Sequence, residues 1–198
     1  DYKVTGVQTC ALPIWRRTNG VITLWDILRP LTSALLGPPA SAAPVRKRSA
    51  APTRRQRAKR PTRQDRYETV KADMLARYGV RVRRWRKSLS GLAWQVEYRD
   101  GRIQRLIESP EPKTPLSMAI FLHEIGHHAI GLARHKPRCL EEYLAWKFSL
   151  DQMEALGLPV TDRVRQRVHR SLRYAVSKAR RRGLRELPPE LLPYAEPA

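Results

Sequence analysis

Three observations on this 198-residue chain predict an α+β fold. A segment with helical spacing precedes short alternating stretches over residues 80–107, an Asp-Gly turn signal sits inside those stretches, and only helical periodicity follows Lys113. The predicted order is one helix, a small antiparallel sheet of about three strands, then further helices.

Tyr67, Val70, Met74, Leu75 and Tyr78 recur at helical spacing, and Gly79 is suited to end that helix. Val80-Arg-Val-Arg-Arg-Trp85 alternates and reads as a strand, with its arginines suited to a sheet edge. Leu92–Tyr98 and Arg102–Ile107 flank Asp100-Gly101, a strong hairpin signal. The next helix opens on Thr114-Pro115, with Thr114 as N-cap and Pro115 at the first helical position, where its missing N–H costs nothing. Met118, Ile120, Phe121, Leu122, Ile125, Ala129 and Ile130 make this helix apolar nearly all round, so it is expected to be buried.

That apolar helix also carries His123-Glu-Ile-Gly-His127. At about 3.6 residues per turn the two imidazoles share one face, with Glu124 beside them. Two imidazoles from adjacent turns can reach one Zn²⁺ at about 2.0–2.1 Å each, leaving room for a third ligand and a water. Glu124 is too close in sequence to His123 to bind the same ion easily, and well placed to accept a proton. Gly126 leaves room for close packing, and Gly131 suits the helix end.

The third ligand is expected from the following helix, predicted from Cys139 to about Leu156. Lys147, Asp151 and Glu154 mark its solvent face, and Ala145, Ser149, Met153 and Leu156 lie opposite. Glu142 falls within the buried set and Glu141 at its margin, so Glu142 is the preferred ligand and Glu141 the alternate. At least one of the two is expected to be an exposed first-turn acid favoured by the helix dipole. His128 is expected to pack or hydrogen-bond on the helix flank. A metzincin-type third histidine is rejected, because Gly131 and His135 come one and two residues too late. His135, Tyr143 or an Arg remain candidate transition-state donors.

His123-Glu-x-x-His127 followed by Glu141-Glu-Tyr-Leu-Ala-Trp146 resembles the zincin metallopeptidases of the Glu-ligand type, and is most similar to small IrrE-like peptidases and the metallopeptidase domain of antirestriction ArdC-type proteins. The resemblance covers roughly residues 64–158, and only the His motif is highly specific. It implies a zincin-like fold in which a short sheet backs the His-Glu-x-x-His helix, Zn²⁺ held by two His and one Glu, and hydrolysis of a peptide or protein substrate with Glu124 as general base. The spacing to the second motif is shorter than usual, which leaves Glu142 and Glu141 both open. Trp146 stands where such peptidases often carry an acid.

The rest of the chain is basic. The formal charge is +21, concentrated in residues 45–66 and in a helix predicted from Val160 to Gly183. In that helix Val164, Val168, Leu172, Tyr174, Ala175 and Val176 form an apolar stripe, and the arginines are read as a solvated face that suits non-specific nucleic acid as well as simple packing. The alternative function is therefore a nucleic-acid- or protein-binding module whose metal is structural. Residues 4–14 resemble a translated sequencing adaptor and are set aside from fold reasoning. Residues 15–44 loosely imitate a signal peptide, but Asp26, Arg29 and Pro30 break the apolar run, which is also too interrupted to span a bilayer. With Cys10 in the set-aside stretch, Cys139 stands alone, and a reducing, cytoplasmic location without membrane attachment is expected. The expected organisation is a tail over 1–63, the metal domain over 64–158, a basic helix packing on it over 159–185, and a Pro-rich tail over 186–198.

Overall fold

In the computed structural model, residues 62–195 are described in full and residues 2–9 by their backbone. The expectations for the apolar run at 21–36, for the basic residues 45–61 and for Cys10 lie outside the described residues. Helix α1 (Arg63–Tyr78) begins with a capping box, in which the Thr62 hydroxyl accepts from the Asp65 N–H and the Asp65 carboxylate accepts from the Thr62 N–H. It ends on Gly79 in the left-handed region (φ 60°), and it buries Tyr67, Val70 and Met74 as its spacing predicts.

Strands β1 (Tyr2–Thr9), β2 (Val80–Arg86), β3 (Leu92–Tyr98) and β4 (Ile103–Pro110) form one sheet in the order β1-β3-β4-β2. The β3–β4 hairpin turns at Asp100-Gly101, where Gly101 has φ 81° and the Asp100 carboxylate accepts from the Arg102 N–H. The sheet is mixed, which corrects the antiparallel expectation: β2 runs parallel to β4. After β2 the chain crosses over β4 through residues 87–91 and enters β3, so the two strands adjacent in sequence are not adjacent in space. The largely exposed arginines of β2 keep it at the edge, while β4 ends in four buried residues and takes the middle.

The set-aside N-terminal stretch also departs from expectation. The backbone of Tyr2–Thr9 pairs antiparallel with β3 and covers what would otherwise be an open edge.

Helix α2 (Pro115–Ile130) starts at the predicted Thr114 cap. It packs against α1, β3, β4, α3 (Arg138–Ala155) and α4 (Asp162–Arg181), so twelve of its residues, Ser117 through His128, are buried without a break. Two features bring α3 close. A Cβ at Gly126 would lie 2.8 Å from the Ala145 carbonyl oxygen, and the Ser149 hydroxyl donates to the Ala119 carbonyl at 2.7 Å. Helix α4 buries Val164, Val168, Leu172 and Val176. The segment predicted as a Pro-rich tail instead carries a 3₁₀ turn over Pro189–Tyr194, because Leu191 is fully buried and Tyr194 packs against Tyr143 and His169. Among the described residues, no helix is long and apolar enough to cross a membrane.

Candidate metal centre

Because α2 is buried nearly all round, its polar residues at 123, 124 and 127 are packed among protein atoms. His123, Glu124 and His127 are all fully buried. The two Nε2 atoms face each other at 3.2 Å, and Glu142 Oε2, from the N-terminal part of α3, lies 3.5 Å from His123 Nε2 and 3.9 Å from His127 Nε2. Ligands at about 2 Å from a tetrahedral zinc lie about 3.3 Å from one another. The three atoms, all within 4.8 Å of one another, therefore form a group that can hold one ion. Of the two carboxylates left open by the sequence, Glu142 is the one in this group.

Glu141 does different work. It is only 2 % exposed, and its Oε1 accepts from the Ala133 N–H at 3.0 Å while lying 3.9 Å from Nδ1 of His127. It thus ties the loop after α2 to α3 and places negative charge behind the His127 ring, on the side away from Nε2. Neither acid is the exposed first-turn residue expected: Glu141 is buried against the Ala133 N–H, and Glu142 is half-buried beside the two imidazoles. Trp146 lies flat on His123, with ring centroids 4.1 Å apart and 20° between planes. Stacking, in place of a carboxylate, holds that imidazole's orientation.

Comparison with protein-family models, with curated proteins and with solved structures gives no match.

The fit of this site to a metal therefore rests on its own atoms. Two imidazoles meeting at Nε2 can share at most one proton between those nitrogens, and a cation satisfies both lone pairs. Burial, reinforced by the neighbouring His123, lowers the His127 pKa to about 3, so the ring is the neutral form that ligates. Both Glu124 oxygens are buried with no hydrogen-bond partner among the described residues, an arrangement that suits a group reserved for a reacting molecule. Burial, followed by the nearby Glu142 charge, raises the Glu124 pKa well above the usual carboxylate range, while Arg86 and Arg167 pull it back.

Two contributors were missed from sequence. A Cβ at Gly91 would overlap the Glu124 carboxylate, so any larger residue there would push that side chain aside. Its loop is held by Arg86, which donates to Ser90 Oγ at 2.9 Å and to the buried Glu108 at 3.0 Å. No sequence signal marked Gly91. Arg167, read as part of the solvated face, is 9 % exposed and faces the site electrostatically. Its signal was present, since 164, 167, 168 and 172 follow the spacing of the buried stripe.

The remaining candidates lie elsewhere. His128 Nε2 pairs with the Leu106 carbonyl at 3.1 Å, as expected for a flank residue. His135 Nε2 pairs with the Ile130 carbonyl at 3.2 Å, and Tyr143 rests against Tyr194; neither belongs to the group of converging ligand atoms.

The histidines predict a pH dependence for the metal-free protein. His127 and His128 have folded pKa values of about 3 and about 4, below the ordinary 6.5, so between those limits the unfolded chain binds more protons. Their contribution is present above pH 6.5 and lost as pH falls toward 3. Glu124 opposes this because its folded pKa is raised, giving stability that is lost as pH rises from 4.5. Between pH 6.5 and about 5, above the range where Asp65, Glu68 and Asp100 titrate, urea midpoints of metal-stripped Glu124→Gln protein should fall steadily as pH falls. A flat profile would show that these rings already carry charge in the fold.

Proposed function

We propose that the chain is a zinc-dependent peptidase of the Glu-ligand zincin kind, with His123, His127 and Glu142 as ligands and Glu124 as general base. The observation that carries this reading is the convergence of three ligand atoms beside a buried carboxylate whose oxygens have no hydrogen-bond partner among the described residues. The resemblance around His123–His127 and Glu141–Trp146 supports it.

When bound, zinc supplies a Lewis acid for the scissile carbonyl and lowers the pKa of water at the site to about 7. Glu124 takes a proton from the attacking water onto a carboxylate oxygen and returns it to the nitrogen of the leaving amine, so it ends the cycle as it began. A carboxyl held above its ordinary pKa by burial is matched to that two-way transfer. Gly91 and the loop anchored by Arg86 keep the carboxylate in place. Trp146, stacked on His123, and Glu141, beside His127 Nδ1, hold the rings that would bind the ion.

Chelation tests the reading. Cleavage of an unstructured protein such as casein should be lost on adding 1,10-phenanthroline and restored by stoichiometric zinc. A hydroxamate should inhibit, because three protein ligands leave a position open. Cleavage that resists the chelator would remove the metal from the chemistry, and zinc-loaded protein that neither cleaves nor binds hydroxamate would replace this reading with a closed structural site.

A further inference from the structure

Three members of the metal site are sealed, but the Glu142 side chain retains 14 % exposure and lines a cavity of about 360 Å³ between α3 and α4. That volume is near the lower end of small-ligand pockets, about 300–1,000 Å³. Its lining includes the apolar Ala175, Ala179 and Leu184 and, among the described residues, three cations: Arg138, Lys178 and Arg182. Among the described residues, the one carboxylate in the wall is Glu142, which belongs to the group that could hold a metal.

We propose that this cavity is the specificity pocket of the peptidase, and that it takes an acidic residue, flanked by apolar ones, next to the bond presented to the metal. The proposal rests on the peptidase reading above and adds the substrate class. Charge complementarity carries it: Lys178 and Arg182 stand against one carboxylate already committed, and the apolar part of the lining matches aliphatic neighbours. A nucleic-acid strand fits the same surface poorly. Strand binding relies on open phosphate contacts and bare aromatic faces, whereas this is a recess whose aromatic residue, Tyr174, has Lys178 Nζ over its ring at 5.8 Å.

The test uses zinc-loaded Glu124→Gln protein and fluorescein-labelled peptides of alanine and leucine that differ only in a central Glu, Gln or Lys, with affinity read by anisotropy. The Glu peptide should bind about tenfold more tightly than the Lys peptide. Lys178→Glu with Arg182→Glu should abolish that preference, while the same reversal at the exposed Arg163 and Arg170 should change it less than about threefold. Equal affinities, or equal effects of the two double reversals, would overturn the pocket and leave only the attraction of a basic chain. A mixed-sequence DNA duplex that loses binding through Lys178→Glu and Arg182→Glu, with no peptide bound, would overturn it in favour of phosphate recognition. Cleavage by protein retaining Glu124 is scored separately: charge-selective binding without cleavage upholds the pocket and sinks the peptidase reading, and cleavage without charge preference does the reverse.

Discussion

Glu124→Gln is expected to lower kcat/KM for peptide cleavage by about 10³-fold while zinc content stays at the wild-type level. The amide has nearly the same volume, so it fits the fully buried position beneath Gly91 without disturbing His123 or His127. It cannot accept a proton from water, and proton transfer by a positioned group contributes about 10²–10⁴-fold to a rate. Because a carboxylate without hydrogen bonds is costly to bury, the variant should also be at least as heat-stable as wild type. Loss of rate with zinc and stability intact separates a catalytic role from a structural one. Retention of full activity would remove Glu124 from the chemistry.

The elements that follow from local rules were legible in the sequence. Thr114-Pro115 marked the start of α2, Gly79 the end of α1 and Asp100-Gly101 the hairpin, because caps and turns depend on a few neighbouring residues. What depended on long-range pairing was not. The parallel alignment of β2 with β4 requires a crossover that no periodicity announces, and the pairing of Tyr2–Thr9 with β3 depends on an edge formed some ninety residues later.

The site divides the same way. His123, Glu124 and His127 lie on one helix face, so their spacing alone placed them. Glu142 required the phase of a second helix, and the small residues Ala145 and Ser149 supplied it through the close approach at Gly126. Glu141 was harder, since its burial comes from the Ala133 N–H in a loop whose path the sequence does not reveal. Trp146 stands where the resemblance leads one to expect an acid, and nothing in the sequence placed it over the His123 ring. Gly91 becomes informative only once the Glu124 carboxylate lies against it.

The second large effect concerns the grip on the ion. Removing Glu142 deletes one of the three converging atoms that could hold an ion, whereas Glu141→Gln leaves all three and is expected to weaken only the orientation of His127, for a loss of about 10–100-fold in affinity. His123→Ala both removes a ligand and empties the space under Trp146. Zinc bound per chain, measured by atomic absorption after dialysis against a weak chelator, tests this account most directly. It predicts a single ion retained by the wild type and by Glu141→Gln, and almost none by His123→Ala or Glu142→Ala. A wild-type chain that emerges without zinc, or a Glu142→Ala chain that holds it as firmly as the wild type, would contradict it.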